Sequence, residues 1–186
     1  VLLGIVAGYF GGWIDDVIMR IADVFMAFPR LVLALAIGAA LGPNLVNTMV
    51  VMAITLWPTY ARLARSETLS IKERTFIEAE RSIGTSKIKI LFSHILPLCM
   101  STTIIRATLD MGNVIRIAAG MSFLGLGAQA PTPEWGLMVS TGRNFMVTHW
   151  WVPTFPGLAI LVAVFAFNLL GDGIRDIADP HLRRGE

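Results

Sequence analysis

The sequence predicts an all-α, polytopic bundle of transmembrane helices, and three observations carry that expectation. The 186-residue chain is 55% hydrophobic and 15% charged, where a soluble domain would carry about 25% charge. Its apolar residues are gathered into long runs, and the mean hydropathy is +0.68. Finally, Lys and Arg are distributed very unequally among the segments between those runs.

A helix crossing hydrocarbon needs about 20 mostly apolar residues, because in lipid only the helix itself can satisfy its backbone N–H and C=O groups. Residues 24–41, 45–64, 95–120 and 154–171 are the expected spans, and residues 1–12 read as the end of a further one. The first residue, Val1, already lies in an apolar run with no basic stretch ahead of it. The expectation is therefore the C-terminal portion of a longer membrane protein, not a signal peptide.

The breaks between spans have chemical causes. Gly42-Pro43-Asn44 forces a tight reversal. Pro131, Pro133, Pro153 and Pro156 bracket a loop over 127–151, with Trp135, Trp150 and Trp151 suited to the headgroup layer. Pro29 and Pro58 interrupt apolar stretches. Gly4, Gly8 and Gly12 recur every four residues, a bare helix face that another backbone can approach.

Orientation follows from the cations. Arg20, seven Lys and Arg residues between Arg62 and Lys89, and Arg175, Arg183 and Arg184 fall on one side of this scheme. The opposite loops hold Arg143 alone, while Arg30, Arg106 and Arg116 fall within spans. The loaded side is cytoplasmic by the positive-inside rule.

Several function classes find little support. A net charge of +2 implies no general affinity for nucleic acid. Cys99 has no internal disulfide partner and reads as a small buried side chain. His94, His149 and His181 lie in different segments with no metal-ligand spacing. Asp179-Pro180-His181 reads as part of a polar cytoplasmic terminus.

Residues 65–94, between the third and fourth spans, form a charged loop of helical pattern. Phe76, Ala79 and Ile83 make an apolar stripe, and Arg74, Glu78 and Arg81 lie on another face where they can pair. Gly84 is expected to end or bend this helix, because it adopts left-handed geometry readily. A second short helix is expected over 85–92. Composition leaves two readings open: an amphipathic hairpin on the membrane surface, or a knob that enters another protein.

The run Glu78-Ala79-Glu80-Arg81-Ser82-Ile83-Gly84, followed by Ile95-Leu96-Pro97, resembles the EAA loop of ABC importer permeases. The spacing agrees at Glu78, Ala79, Gly84, Leu96 and Pro97. Glu80 replaces the second alanine of that signature, and His94 stands where it has isoleucine. Ile18-Met19-Arg20, Ala27-Phe28-Pro29, residues 123–127 and 131–136, Phe155-Pro156-Gly157 and residues 167–173 are similar to stretches of the second permease of dipeptide and oligopeptide importers. These markers cover nearly the whole chain in the family's order.

The resemblance implies a type I importer permease fold with a cytoplasmic coupling helix. It implies that Glu78, Ala79, Glu80, Arg81 and Gly84 dock on an ATPase subunit. It further implies a homologous second permease and an extracytoplasmic binding protein as partners, in a bacterial inner membrane. No cofactor is expected in this chain. The sequence lacks a G-x-x-x-x-G-K-[ST] phosphate loop, so ATP and Mg²⁺ are expected at the partner ATPase and the chain itself is expected not to be an enzyme.

Within the fourth span, Arg106, Asp110, Asn113 and Arg116 follow at intervals of 4, 3 and 3, making one polar stripe. Charges at membrane depth face a bundle interior or a wet cavity. Two readings are open: a pathway for zwitterionic peptides, or a pair between Arg106 and Asp110 with Arg116 reaching the surface. Cargo is open too. Residues 148–151 and 167–176 favour peptides by resemblance, while nickel importers share the architecture. A membrane-embedded enzyme would need convergent catalytic groups, and a channel a charged ring or filter motif; the sequence offers neither.

Overall fold

The computed structural model describes residues 1–178; the terminal segment around Asp179-Pro180-His181 lies outside the described residues. Among those, the chain is helical throughout, with no strand. In order come α1 (Leu2–Phe10), α2 (Gly12–Met26), α3 (Arg30–Leu41), α4 (Leu45–Ile71), α5 (Thr75–Ser82), α6 (Lys87–Ile90), α7 (Leu96–Phe123), α8 (Trp135–Gly142) and α9 (Trp151–Ala178). Lys87–Phe123 and Trp151–Asp176 are each long and apolar enough to cross a membrane, and the broken pair α2 and α3 is a third candidate.

Several expected boundaries change. The helix expected over 24–41 is broken at Ala27-Phe28-Pro29, where Pro29 is extended (φ −55°, ψ 125°) and serves as the N-cap of α3. Residues 24–26 therefore belong to α2, which is amphipathic, and only 30–41 form the apolar helix. The expected span over 45–64 is one continuous helix, α4, running through Pro58 to Ile71. It carries Asn47, Thr48, Thr55, Thr59 and Arg62, and is not among the helices apolar enough to cross alone.

The separate helix expected over 85–92 does not exist as such: α6 runs on into α7 through a π turn at Leu91–Ile95. At its end the Leu96 N–H reaches back to the Leu91 carbonyl, a widened turn directly ahead of Pro97. A proline ring clashes with the carbonyl four residues before it, and a π turn is one way a helix accommodates that without stopping. The loop over 127–151 contains a helix of its own, α8.

By contacts the chain forms two compact units, Val1–Phe28 with Leu56–Ile104, and Pro29–Thr55 with Ile105–Glu186. The first is organised around glycine. A Cβ on Gly4 would lie 2.1 Å from the Ala61 carbonyl oxygen, and one on Gly8 would lie 2.9 Å from that of Arg65. The two glycines thus let α1 lie directly against α4. Lys72 extends the contact by donating to the Gly8 carbonyl at 3.0 Å.

Gly12 does not join that face. Gly11 and Gly12 have φ of 66° and 55° and turn the chain from α1 into α2. On α2, Asp15 and Asp23 then meet Arg65 and Arg62 of α4, and Phe25 packs edge-on to Trp57.

The second unit uses the same device. A Cβ on Gly171 of α9 would meet the Leu109 side chain at 2.8 Å, and one on Gly136 would meet the Ala119 carbonyl oxygen at 2.3 Å. The Glu134 carboxylate caps α8 by accepting from the Gly136 and Leu137 amides at 3.0 and 2.8 Å. Beyond its contact line, α9 presents Leu161, Val162, Phe165 and Leu169 outward.

Because small residues set these approaches, Gly4→Leu forces α1 off α4 and should destabilise the folded chain by about 3 kcal/mol or more, with Gly4→Ala costing about 1–3 kcal/mol. Thermal unfolding of the purified protein in detergent measures this, and a Gly4→Leu variant as stable as wild type would refute the packing.

Candidate functional site

The resemblance drew attention to the segment centred on α5, and its geometry begins with the residues that stop the helix. Arg74, extended at φ −76° and ψ 143°, is its N-cap. At the other end the Gly84 N–H donates to the Arg81 carbonyl at 3.0 Å and the Thr85 N–H to the Glu80 carbonyl at 3.1 Å. This is a Schellman closure, which needs a left-handed residue. Gly84 supplies it at φ 81°. The bend expected at Gly84 is therefore present, and its cause is local.

The anchor of α5 is a residue outside the apolar stripe. Ile77 is the buried residue, at 0% exposure. It sits in a cluster with Ile71 from the end of α4, Ile90 and Leu91, Ile95 from the π turn, and Cys99 from α7. The stripe of Phe76, Ala79 and Ile83 is exposed, Ile83 at 78%. The chain enters α5 through only three residues after α4, and this short connection sets the rotation that turns Ile77 inward. Burying Ile77 against the cluster stabilises the arrangement by about 2 kcal/mol.

The charged residues also separate. No ion pair joins Glu78 to Arg74 or Arg81 among the described residues. The Arg81 guanidinium instead lies over the Tyr9 ring, 5.4 Å from its centroid, tying α5 to α1. Glu78 and Ala79 are exposed. Glu80 turns the other way: its carboxylate accepts from the Thr85 hydroxyl at 2.6 Å and lies 3.6 Å from His94 Nε2.

The polar stripe on α7 resolves into two pairs. Arg106 donates to both oxygens of Asp110, at 3.0 and 3.3 Å, and Asp110 is 2% exposed. One turn further, Arg116 donates to the Asn113 side-chain oxygen. Sequence reasoning missed Asn168 of α9, whose side-chain oxygen lies 2.7 Å from where a Cβ on Gly112 would be. The available signal was an amide in the middle of an apolar run. Asn168 and Arg116 line one groove of about 530 Å³, otherwise walled by residues such as Ile160, Leu161, Val164 and Phe165.

Cys99 is buried, and the Thr68 hydroxyl lies 3.7 Å from its sulfur. Among the described residues no group of three or more His, Cys, Asp and Glu is gathered in a way that could hold a metal ion.

Two substitutions separate the bend from the anchor. Gly84→Val places a β-branched residue at positive φ and should cost about 1–2 kcal/mol. Ile77→Ala should cost about 2–5 kcal/mol through the cavity it leaves. Limited proteolysis between 72 and 87 reads both, and unchanged cleavage in Ile77→Ala would contradict the anchoring role.

The family described as "Binding-protein-dependent transport system inner membrane component" matches residues 1–184. The chain is 47% identical over 181 residues to the dipeptide transport system permease protein DppC of Alkalihalophilus pseudofirmus, covering 97% of this chain and 60% of that one. It is 46% identical to the probable D,D-dipeptide transport system permease protein DdpC of Escherichia coli, covering 96% and 60%. It is 49% identical to the glutathione transport system permease protein GsiD of Pectobacterium atrosepticum, covering 97% and 60%. The chain thus spans about 60% of the length of the curated relatives it matches. With its apolar helices, this makes it a membrane protein, and it belongs to the family of inner membrane components of binding-protein-dependent transport systems.

Proposed function

We propose that this chain is the translocating part of a permease subunit in a peptide-importing ABC system, coupled to a separate ATPase through α5. The observation that carries the reading is the construction of α5. Ile77 is its buried residue, while Phe76, Ala79 and Ile83 form an exposed apolar stripe, Phe76 meeting the His94 ring edge-on. A short helix seated on one buried residue, with an exposed apolar face, is suited to a cleft on another protein. Glu78, Ala79, Arg81 and the Gly84 bend form or frame that docking element.

ATP and Mg²⁺ bind at the ATPase, which closes on hydrolysis cycles and moves the helices as rigid bodies. A homologous second permease and an extracytoplasmic binding protein complete the assembly, in the inner membrane of a bacterium. This chain performs no chemistry of its own and binds neither cofactor nor nucleic acid. The peptide cargo is supported by the relatives, whose names cite dipeptides, D,D-dipeptides and glutathione.

The pathway is assigned to Arg106, Asp110, Asn113 and Arg116, with Asn168 added. Polar groups at membrane depth face water or protein rather than lipid, and Arg116 and Asn168 share a groove of about 530 Å³. Arg116 suits a peptide carboxylate, while the Arg106–Asp110 pair neutralises itself and shapes the wall.

The docking and pathway roles are separable. Ile83→Asp should abolish co-purification of the ATPase, whereas Asp110→Asn should retain it and lower peptide uptake by about tenfold, the equivalent of about 1.4 kcal/mol. Normal uptake in Asp110→Asn would remove the pathway role. Cargo is decided by labelled dipeptide uptake in cells carrying only this system. Unlabelled dipeptide should compete and nickel should not; competition by nickel alone would reassign the cargo to a metal.

A further inference from the structure

The two positions at which the loop departs from the permease signature, Glu80 and His94, are in contact with each other. Glu80 is on α5 and His94 is in the π turn, fourteen positions on. One Glu80 oxygen lies 3.6 Å from His94 Nε2, and the other accepts from the Thr85 hydroxyl at 2.6 Å. Both side chains are partly buried. The Phe76 ring packs edge-on against the His94 ring at 6.3 Å between centroids, so the imidazole is also held from α5's first turn.

From this geometry we infer that Glu80 is a positioning residue, clamping α5 to the base of the α6–α7 rod and fixing the angle at which the docking helix meets its partner. The inference rests on the coupling role proposed for α5. A single carboxylate joins three pieces of chain: the docking helix, the residue after the Gly84 bend, and the π turn that leads into α7. Without it, α5 is held to the rod by the apolar contacts of Ile77 and of the Phe76 ring edge, about which a short helix can rock. An alanine at 80 and an isoleucine at 94 could make neither the hydrogen bond nor the carboxylate–imidazole contact. The clamp is therefore a property of this chain's own residues, one the loop signature does not supply.

A rigid joint matters to a lever. Movement of the ATPase reaches α7 only to the extent that α5 does not rotate about its anchor. Loosening the clamp should therefore waste strokes, raising the ATP hydrolysed per peptide delivered.

The test uses the full-length permease assembled with its ATPase, second permease and binding protein in proteoliposomes, supplied with a radiolabelled dipeptide. Glu80→Ala and His94→Gln should each raise the ATP hydrolysed per dipeptide by about fivefold, and the double variant should be no worse than either single one, as residues acting through one contact behave. Glu80→Gln, which keeps an acceptor for Thr85, should fall between. In parallel, hydrogen exchange at the Ile83, Gly84 and Thr85 amides should quicken in the same variants.

An unchanged ATP-to-dipeptide ratio in Glu80→Ala, or effects that add in the double variant, would overturn the clamp. A wild-type complex that takes up no dipeptide would instead overturn the importer reading on which it stands, and the two failures are told apart by whether wild type transports.

Discussion

Nothing in hydrocarbon can hydrogen-bond a peptide group except the chain itself, and the architecture of this protein depends on that constraint. It makes each crossing a helix, while lipid tails as apolar as leucine remove the hydrophobic drive that would press one helix against another. What remains is contact at close range, which requires small side chains. Gly4 and Gly8 against α4, and Gly171 against α7, meet that requirement in the two units. The exposed leucine, valine and phenylalanine side chains of α9 are the complement, a surface made for lipid or another apolar partner.

Away from the bilayer different forces act, and the chain changes its chemistry accordingly. The end of α4 is held to α2 by two carboxylate–guanidinium pairs, Asp15 with Arg65 and Asp23 with Arg62. Beyond it, α5 is closed by a Schellman turn and seated on one isoleucine. An exposed pair such as Asp23 with Arg62 contributes about 0–1 kcal/mol. Neither pair touches α5, and the burial of Ile77 decides where that helix sits. Such an element is cheap to displace and stiff enough to push, which suits a joint between a membrane domain and a motor.

Much of this was legible in the residues. Runs of apolar side chains marked the helices now seen in α7 and α9, and helical spacing with glycine's left-handed freedom marked α5 and its Gly84 bend. The failures have physical reasons. Phe76, Ala79 and Ile83 have the spacing of an apolar stripe, and Ile77, the residue that is buried, lies one position away on the same short helix. Two turns of helix carry too little periodicity to say which face is turned inward. Gly12 continued a four-residue repeat that the chain abandons at Gly11, because positive φ at successive glycines makes a turn instead. The break at Pro29 was visible as a proline but not as a helix boundary. Glu80 and His94 read as separate departures from a signature, since a contact between residues fourteen positions apart leaves no mark in local spacing.

The central claim is that α5 projects into the cytoplasm and is covered there by an ATP-hydrolysing partner. Replacing Ile83 by cysteine in the full-length permease and reacting it with a membrane-impermeant maleimide tests this directly. The account predicts labelling in inside-out vesicles stripped of the ATPase, no labelling in intact spheroplasts, and protection when the ATPase is restored. Labelling of intact spheroplasts would place α5 on the outer face, and both the orientation and the docking role would be wrong.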